Sequence, residues 1–182
     1  MLRLPFALLL AGACSIAFGA DAPSVSKILD GQLSMVEHEL VPLAEAMPAD
    51  KYDFAPTHGE FKGVRTFGRQ VSHIAAVMYL VSASVLGEKM PAEAGNDENG
   101  PATLKSKDDY LKYLKGAIAY SHKAMQSLTA ANLTTMIKSP FGNGEVPRLD
   151  MATVPVWHSF DHYGQMVVYA RMNGIIPPAS RR

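Results

Sequence analysis

The sequence predicts an all-α protein, a four-helix bundle with long connecting loops. Three observations carry that expectation. Four stretches of about 20 residues repeat apolar side chains at spacings of three and four, the period of one helix face. No stretch shows a convincing strand pattern of alternating apolar and polar residues. The segments between the periodic stretches are rich in Gly and Pro. With 182 residues, 48% of them hydrophobic and 19% charged, the chain is long enough for one domain with a full core.

The first helix is expected over Val25 to Ala46, where Ile28, Leu29, Leu33, Val36, Leu40 and Leu43 share a face and Pro48 closes the run. The second is expected over Thr66 to Leu86, with Val71, Ile74, Ala75, Met78, Val81 and Val85 in one stripe. Thr66 suits its N-cap and Gly87 its stop. The third begins at Ser106, where Ser106-Lys107-Asp108-Asp109 has the spacing of a capping box, and continues through Leu114, Ile118 and Met125 to Leu128. The fourth is expected from near Thr153, with Pro155 in its first turn, to Asn173-Gly174, with Pro177-Pro178 beyond. Met47 to Arg65, Glu88 to Lys105 and Ser139 to Ala152 are read as loops, and loops of that length in a small domain are usually functional. Met78, Met125 and Met166 read as core filler.

The N-terminus differs from the rest. Met1-Leu2-Arg3 precedes a nearly unbroken apolar run from Leu4 to Phe18, and Ala17-Phe18-Gly19 places small residues where a signal peptidase reads. Residues 1–19 are therefore expected to be a signal peptide and residues 20–182 a single exported, periplasmic domain. The run is short for a membrane span. Cys14 lies inside it, and Ala11 is not the aliphatic residue usual three places before a lipid-bearing cysteine, which disfavours anchoring. The mature chain then has no cysteine, which suits an oxidising compartment and excludes disulfides and thiol nucleophiles. Basic and acidic residues number 17 each, so there is no basic excess for nucleic acid.

Chemistry is concentrated in histidines. His158 and His162 stand four residues apart in an apolar stretch and so point the same way, with Gln165, Met166 and Tyr169 extending that face and Trp157, Phe160 and Val168 flanking it. Two neutral imidazoles at that spacing can chelate one metal ion; two polar residues on an exposed stripe would look the same. His73 lies in the second helix among Val71, Ile74, Ala75, Ala76 and Val77, where a hydrogen-bonded core histidine is the alternative to a ligand. If the second and fourth helices are neighbours, His73 completes a set of three, but periodicity does not show adjacency. His38, beside Glu37 and Glu39, reads as a rim residue; His122 is a minor site candidate on the third helix; His58 and Glu60 sit in a loop that could lean over a site mouth. Asp161 is either an acceptor behind an imidazole or a solvated carboxylate, and Tyr163 and Gln165 share that ambiguity. Arg69 and Arg171 are candidates to attract an anion or ordinary surface arginines.

Two stretches resemble the DinB/YfiT-like family of metal-dependent bundle proteins. One is Tyr52-Asp53-Phe54-Ala55-Pro56-Thr57, then Arg65-Thr66-Phe67-Gly68, leading into Val71-Ser72-His73-Ile74-Ala75. The other is His158-Ser159-Phe160-Asp161-His162-Tyr163-Gly164-Gln165, followed by Arg171-Met172-Asn173-Gly174-Ile175-Ile176-Pro177-Pro178. The resemblance implies helices in up-down-down-up order, frequent homodimers, and a metal triad at His73, His158 and His162. Three nitrogen ligands would leave a zinc or nickel ion an open position, the arrangement of catalytic rather than closed structural sites. Such an ion could activate water for hydrolysis or bind a substrate thiol, as in the thiol-dependent transferases and isomerases of the family that the chain resembles. An exported setting favours water. A small-molecule substrate is expected, no general acid or base stands out, and the competing reading is a non-catalytic module that binds metal or ligand or pairs with itself. Binding needs neutral imidazole, so metal held this way is expected to leave below pH ~6.

Overall fold

The first three helices each begin where a side chain takes up a free N–H of the first turn. The computed structural model describes residues 22–181; the expected signal peptide and Cys14 lie outside the described residues. Helix α1 spans Val25–Ala46, and Ser24 Oγ accepts from the Lys27 N–H at 3.2 Å. Leu29, Leu33, Val36, Leu40 and Leu43 form its buried face, as their spacing predicted, whereas Ile28, expected among them, is exposed. Helix α2 spans Phe67–Leu86, capped by Thr66 and ended by Gly87 at φ 69°, a left-handed conformation that glycine adopts without strain. Helix α3 spans Lys107–Gln126 and carries the expected capping box, with Ser106 and Asp109 each bonding the other's backbone N–H.

Two expectations are corrected. Helix α4 spans Arg148–Met172, so it begins before Thr153 and takes Pro155 into its interior. A proline there removes one helical N–H, and it is tolerated where packing holds the backbone: Pro155 is buried, and Ser159 Oγ donates to its carbonyl at 2.6 Å. The second correction is a β-hairpin, β1 Met136–Lys138 paired antiparallel with β2 Glu145–Pro147. Strands of three residues are too short for alternation to register in a sequence, and the hairpin borders α4 directly.

Side-chain contacts fix the direction of every helix. Lys107, at the start of α3, donates to the carbonyls of Glu45 and Met47 at the end of α1, so α1 and α3 run antiparallel. Gly68 lies against Tyr110, and Ser82 Oγ donates to Ser121 Oγ at 2.9 Å, so α2 and α3 run parallel. Gln70 meets Gln165 and the Arg148 guanidinium donates to the Val85 carbonyl, so α2 and α4 run antiparallel. The order is up-down-down-up. Both α1 and α2 pack against α3 and α4, leaving α1–α2 and α3–α4 as the diagonals.

Parallel neighbours need a connection that returns along the bundle. The segment between Gly87 and Ser106 does this for α2 and α3, a helix length of about 30 Å. The core it wraps is built from Leu33, Leu40, Phe67, Ile74, Met78, Leu114, Ile118, Met125 and Met166, all essentially without exposure. Among the described residues, no helix is long and apolar enough to cross a membrane. The outer face of α4 is more apolar than a solvated helix usually is: Trp157, Phe160, Val168 and Met172 are all exposed.

Candidate metal centre

Because α2 and α4 are antiparallel neighbours, His73 comes opposite the pair one turn apart on α4. The ring centroids of His73 lie 5.1 Å from those of His158 and 4.8 Å from those of His162, and His158 and His162 are 4.5 Å apart. One ring nitrogen from each falls within 4.8 Å of the others. Donors around a tetrahedral zinc at ~2.0–2.1 Å stand roughly 3.3 Å apart, so closing on an ion asks side-chain rotations on the order of an ångström. The donor set therefore fits a divalent ion. Among the described residues, no fourth His, Cys, Asp or Glu joins the group.

The hydrogen bonds behind the rings show which nitrogens are free. His73 Nδ1 lies 2.6 Å from the Glu98 carbonyl oxygen, which can only accept, so Nδ1 carries the proton and Nε2 the lone pair. His162 reaches the same state through a chain of amides. The Asp161 carboxylate accepts from Gln165 Nε2 at 3.5 Å, Gln165 Oε1 accepts from Gln70 Nε2 at 3.0 Å, and Gln70 Oε1 is left to accept from His162 Nδ1 at 2.6 Å. Acceptors behind metal-binding imidazoles set the tautomer in this way.

Electrostatics favour neutral rings. His73 and His162 are 7% exposed and His158 is half-buried. Burial, then the neighbouring imidazoles, push His158 down to about 3. Burial, then His73, push His162 down to about 4. His73 is also lowered, chiefly by burial, against the pull of the Glu98 carbonyl. Arg65 adds to all three effects from nearby.

The crossover between α2 and α3 closes over this end of the site. Arg65 Nε donates to Asn99 Oδ1 at 2.7 Å and its terminal nitrogen pairs with Glu98 at 3.0 Å, which holds the Glu98 carbonyl against His73. Arg69 donates to the Asn99 carbonyl at 3.5 Å and lines a shallow cavity with Arg65 on the far side of the crossover. On the near side His73 and His158 open into a second cavity of about 470 Å³.

The remaining candidates separate. Asp161 is exposed and acts two amides away from His162 rather than on a ring. Tyr163 turns to α1 and donates to Glu39 at 2.7 Å. His122 also faces α1, between Asp30 at 2.6 Å and Glu37 at 3.4 Å, on the side of the bundle opposite the triad. His38, His58 and Glu60 are exposed, and neither His58 nor Glu60 lines the triad's cavity. Arg171 bonds Ser180 at 3.0 Å. Sequence reasoning missed Gln70, 2% exposed on α2, and the Glu98 carbonyl. A glutamine three residues before His73, on the same apolar stripe, was the available trace of the first; the second left none, because any residue supplies a carbonyl.

Fold and site together define a bundle protein with three converging imidazoles between two antiparallel helices. The chain belongs to the DinB superfamily, whose family model matches residues 32–166. Three solved structures share the fold. A DinB-like protein from Bacillus cereus is 20% identical, with a TM-score of 0.65, covering 82% of this chain and 93% of its own. A DinB-like protein from Bacillus subtilis is 18% identical, with a TM-score of 0.64 over 85% of this chain and 99% of its own. A conserved protein from Enterococcus faecalis is 14% identical, with a TM-score of 0.65 over 83% and 98%. No curated protein matches the sequence.

Proposed function

We propose that this chain is an exported, metal-dependent enzyme that acts on a small molecule, with one zinc or nickel ion held by His73, His158 and His162. The observation that carries the reading is the spent Nδ1 atoms of His73 and His162: both point at acceptors, which leaves two Nε2 lone pairs for the ion that the third imidazole also faces. A histidine serving only the core has no need of two like rings within 5.1 Å.

A divalent ion with three neutral protein ligands and an open position supplies Lewis acidity, lowering the pKa of water toward ~7 or that of a thiol that meets it. The chain's own residues do the rest. Gln70 and the Glu98 carbonyl hold two ring protons on Nδ1. Burial keeps the rings neutral far below pH 7. Arg65 pins the crossover, and His158, the least buried ring, faces the cavity through which a substrate arrives. Hydrolysis is favoured over thiol transfer by the expected export, itself supported by the apolar run from Leu4 to Phe18. The absence of a fourth ligand among the described residues favours an enzyme over a closed, non-catalytic metal module.

The test is metal content and turnover of the purified full chain after growth with zinc and nickel. The expected result is about one divalent ion per chain, lost in His162→Ala, with metal-dependent hydrolysis within a panel of esters and amides that His73→Ala does not perform. Metal-free protein under those conditions, or equal turnover by His73→Ala, overturns the reading.

A further inference from the structure

The cavity beside the triad has a chemistry of its own. Its walls are Val77 and Leu80 from α2, Met90 from the crossover, and Val154 and Trp157 from α4. Phe141, in the turn of the β1–β2 hairpin and 56% exposed, also lines it. His73 and His158 stand at one end. The polar groups at the rim are Asn96, Asp97 and Glu98, so both charged side chains there are acidic and no Lys or Arg lines the space. The nearby cations, Arg65 and Arg69, open to the other side of the crossover and are engaged with Glu98 and Asn99. A volume of about 470 Å³ lies in the range of small-molecule sites, ~300–1,000 Å³.

We infer that this cavity holds the uncharged apolar tail of the substrate, an alkyl chain or an aryl ring, while the substrate's polar head meets the three imidazoles. The assignment of the head rests on the proposed metal centre; that of the tail rests on the cavity alone. An anionic tail would meet no free cation and the Asp97 carboxylate, Glu98 being paired with Arg65, so carboxylate-bearing peptide thiols are disfavoured as occupants. Neutral esters, amides or thiols with an apolar substituent satisfy both ends.

Trp157 is the only tryptophan in the chain, and it lines the cavity with its ring centroid 5.9 Å from that of His158, so its fluorescence reports occupancy without any turnover. Metal-free full chain is titrated with n-alkanols of increasing length and with the matching ω-hydroxyalkanoates, which carry a carboxylate at the far end of the tail. Each added methylene of the alcohols is expected to tighten binding about fourfold until the cavity is full, with the carboxylates weaker at every length. Leu80→Glu should abolish the chain-length dependence. Phe141→Ala, at an exposed site that leaves the core intact, should weaken only the longest members. Affinity independent of chain length, carboxylates binding as tightly as alcohols, or an unchanged series in both variants would overturn the inference. The same series as n-alkyl hydroxamates on zinc-loaded protein separates the two proposals. A chain-length dependence with no gain from the hydroxamate head supports the tail assignment while removing the metal centre.

Discussion

A histidine pair at helical spacing has no single meaning until its surroundings are known. On α4 the surroundings invert the usual rule, because the two imidazoles turn inward while Trp157, Phe160 and Val168 face solvent. For His162 the inward position is made tolerable by an acceptor for its Nδ1, which Gln70 provides. Gln70→Ala is therefore expected to weaken zinc binding by roughly 10–100-fold, with Gln70→Glu, which keeps an acceptor, restoring most of it. Competition against a zinc indicator measures this; equal affinity in wild type and Gln70→Ala would remove the glutamine from the account. A pH dependence follows from the same burial. The unfolded chain takes up protons at these histidines near ~6.5, whereas folded His158 and His162 refuse them until about 3 and about 4. Their folded values are depressed, so metal-free protein keeps its full stability above ~6.5 and loses it as pH falls toward 4. The denaturant midpoint should drop over that window, and drop less in His158→Gln; a His158→Gln profile parallel to wild type would contradict the assignment. Because the rings stay neutral longer than free imidazole, metal held by them is expected to leave at a lower pH than the ~6 that the sequence suggests.

At the scale of elements, legibility followed the caps. Thr66, Gly87 and the Ser106–Asp109 box each announce a helix end through a side chain or a glycine suited to that end, and α2 and α3 begin or end where those residues stand. Helix α4 lacks such a mark, since Pro147 at its N-cap makes no side-chain bond, and Pro155 offered a false start. The hairpin was hidden by its brevity: Met136-Ile137-Lys138 and Glu145-Val146-Pro147 pair through backbone groups that every sequence contains. It matters nonetheless, because its turn carries Phe141 to the cavity. The crossover from Gly87 to Ser106 looked like a loop rich in Gly, Asn and Pro, and it contributes a carbonyl, which composition does not reveal.

At the scale of the molecule, the decisive fact is adjacency. Periodicity places His73 on one helix and His158 with His162 on another, but only the up-down-down-up order makes those helices antiparallel neighbours. That order follows from contacts distant in sequence, such as Lys107 with Glu45 and Ser82 with Ser121, which no local pattern encodes. The family resemblance carried this part of the expectation; the match over residues 32–166 bears out the family, and the contacts between helices bear out the order. The same topology makes the α2–α3 connection long enough to lie over the triad, so fold order, crossover and cavity are one construction. The central claim is that three imidazoles from two helices share one ion. Its most direct test is the anomalous scattering of a crystal of the full chain grown with zinc. The account predicts a single strong peak ~2.0–2.1 Å from a ring nitrogen of each of His73, His158 and His162, with no fourth protein ligand. A zinc peak elsewhere on the molecule, with that position empty, would contradict it.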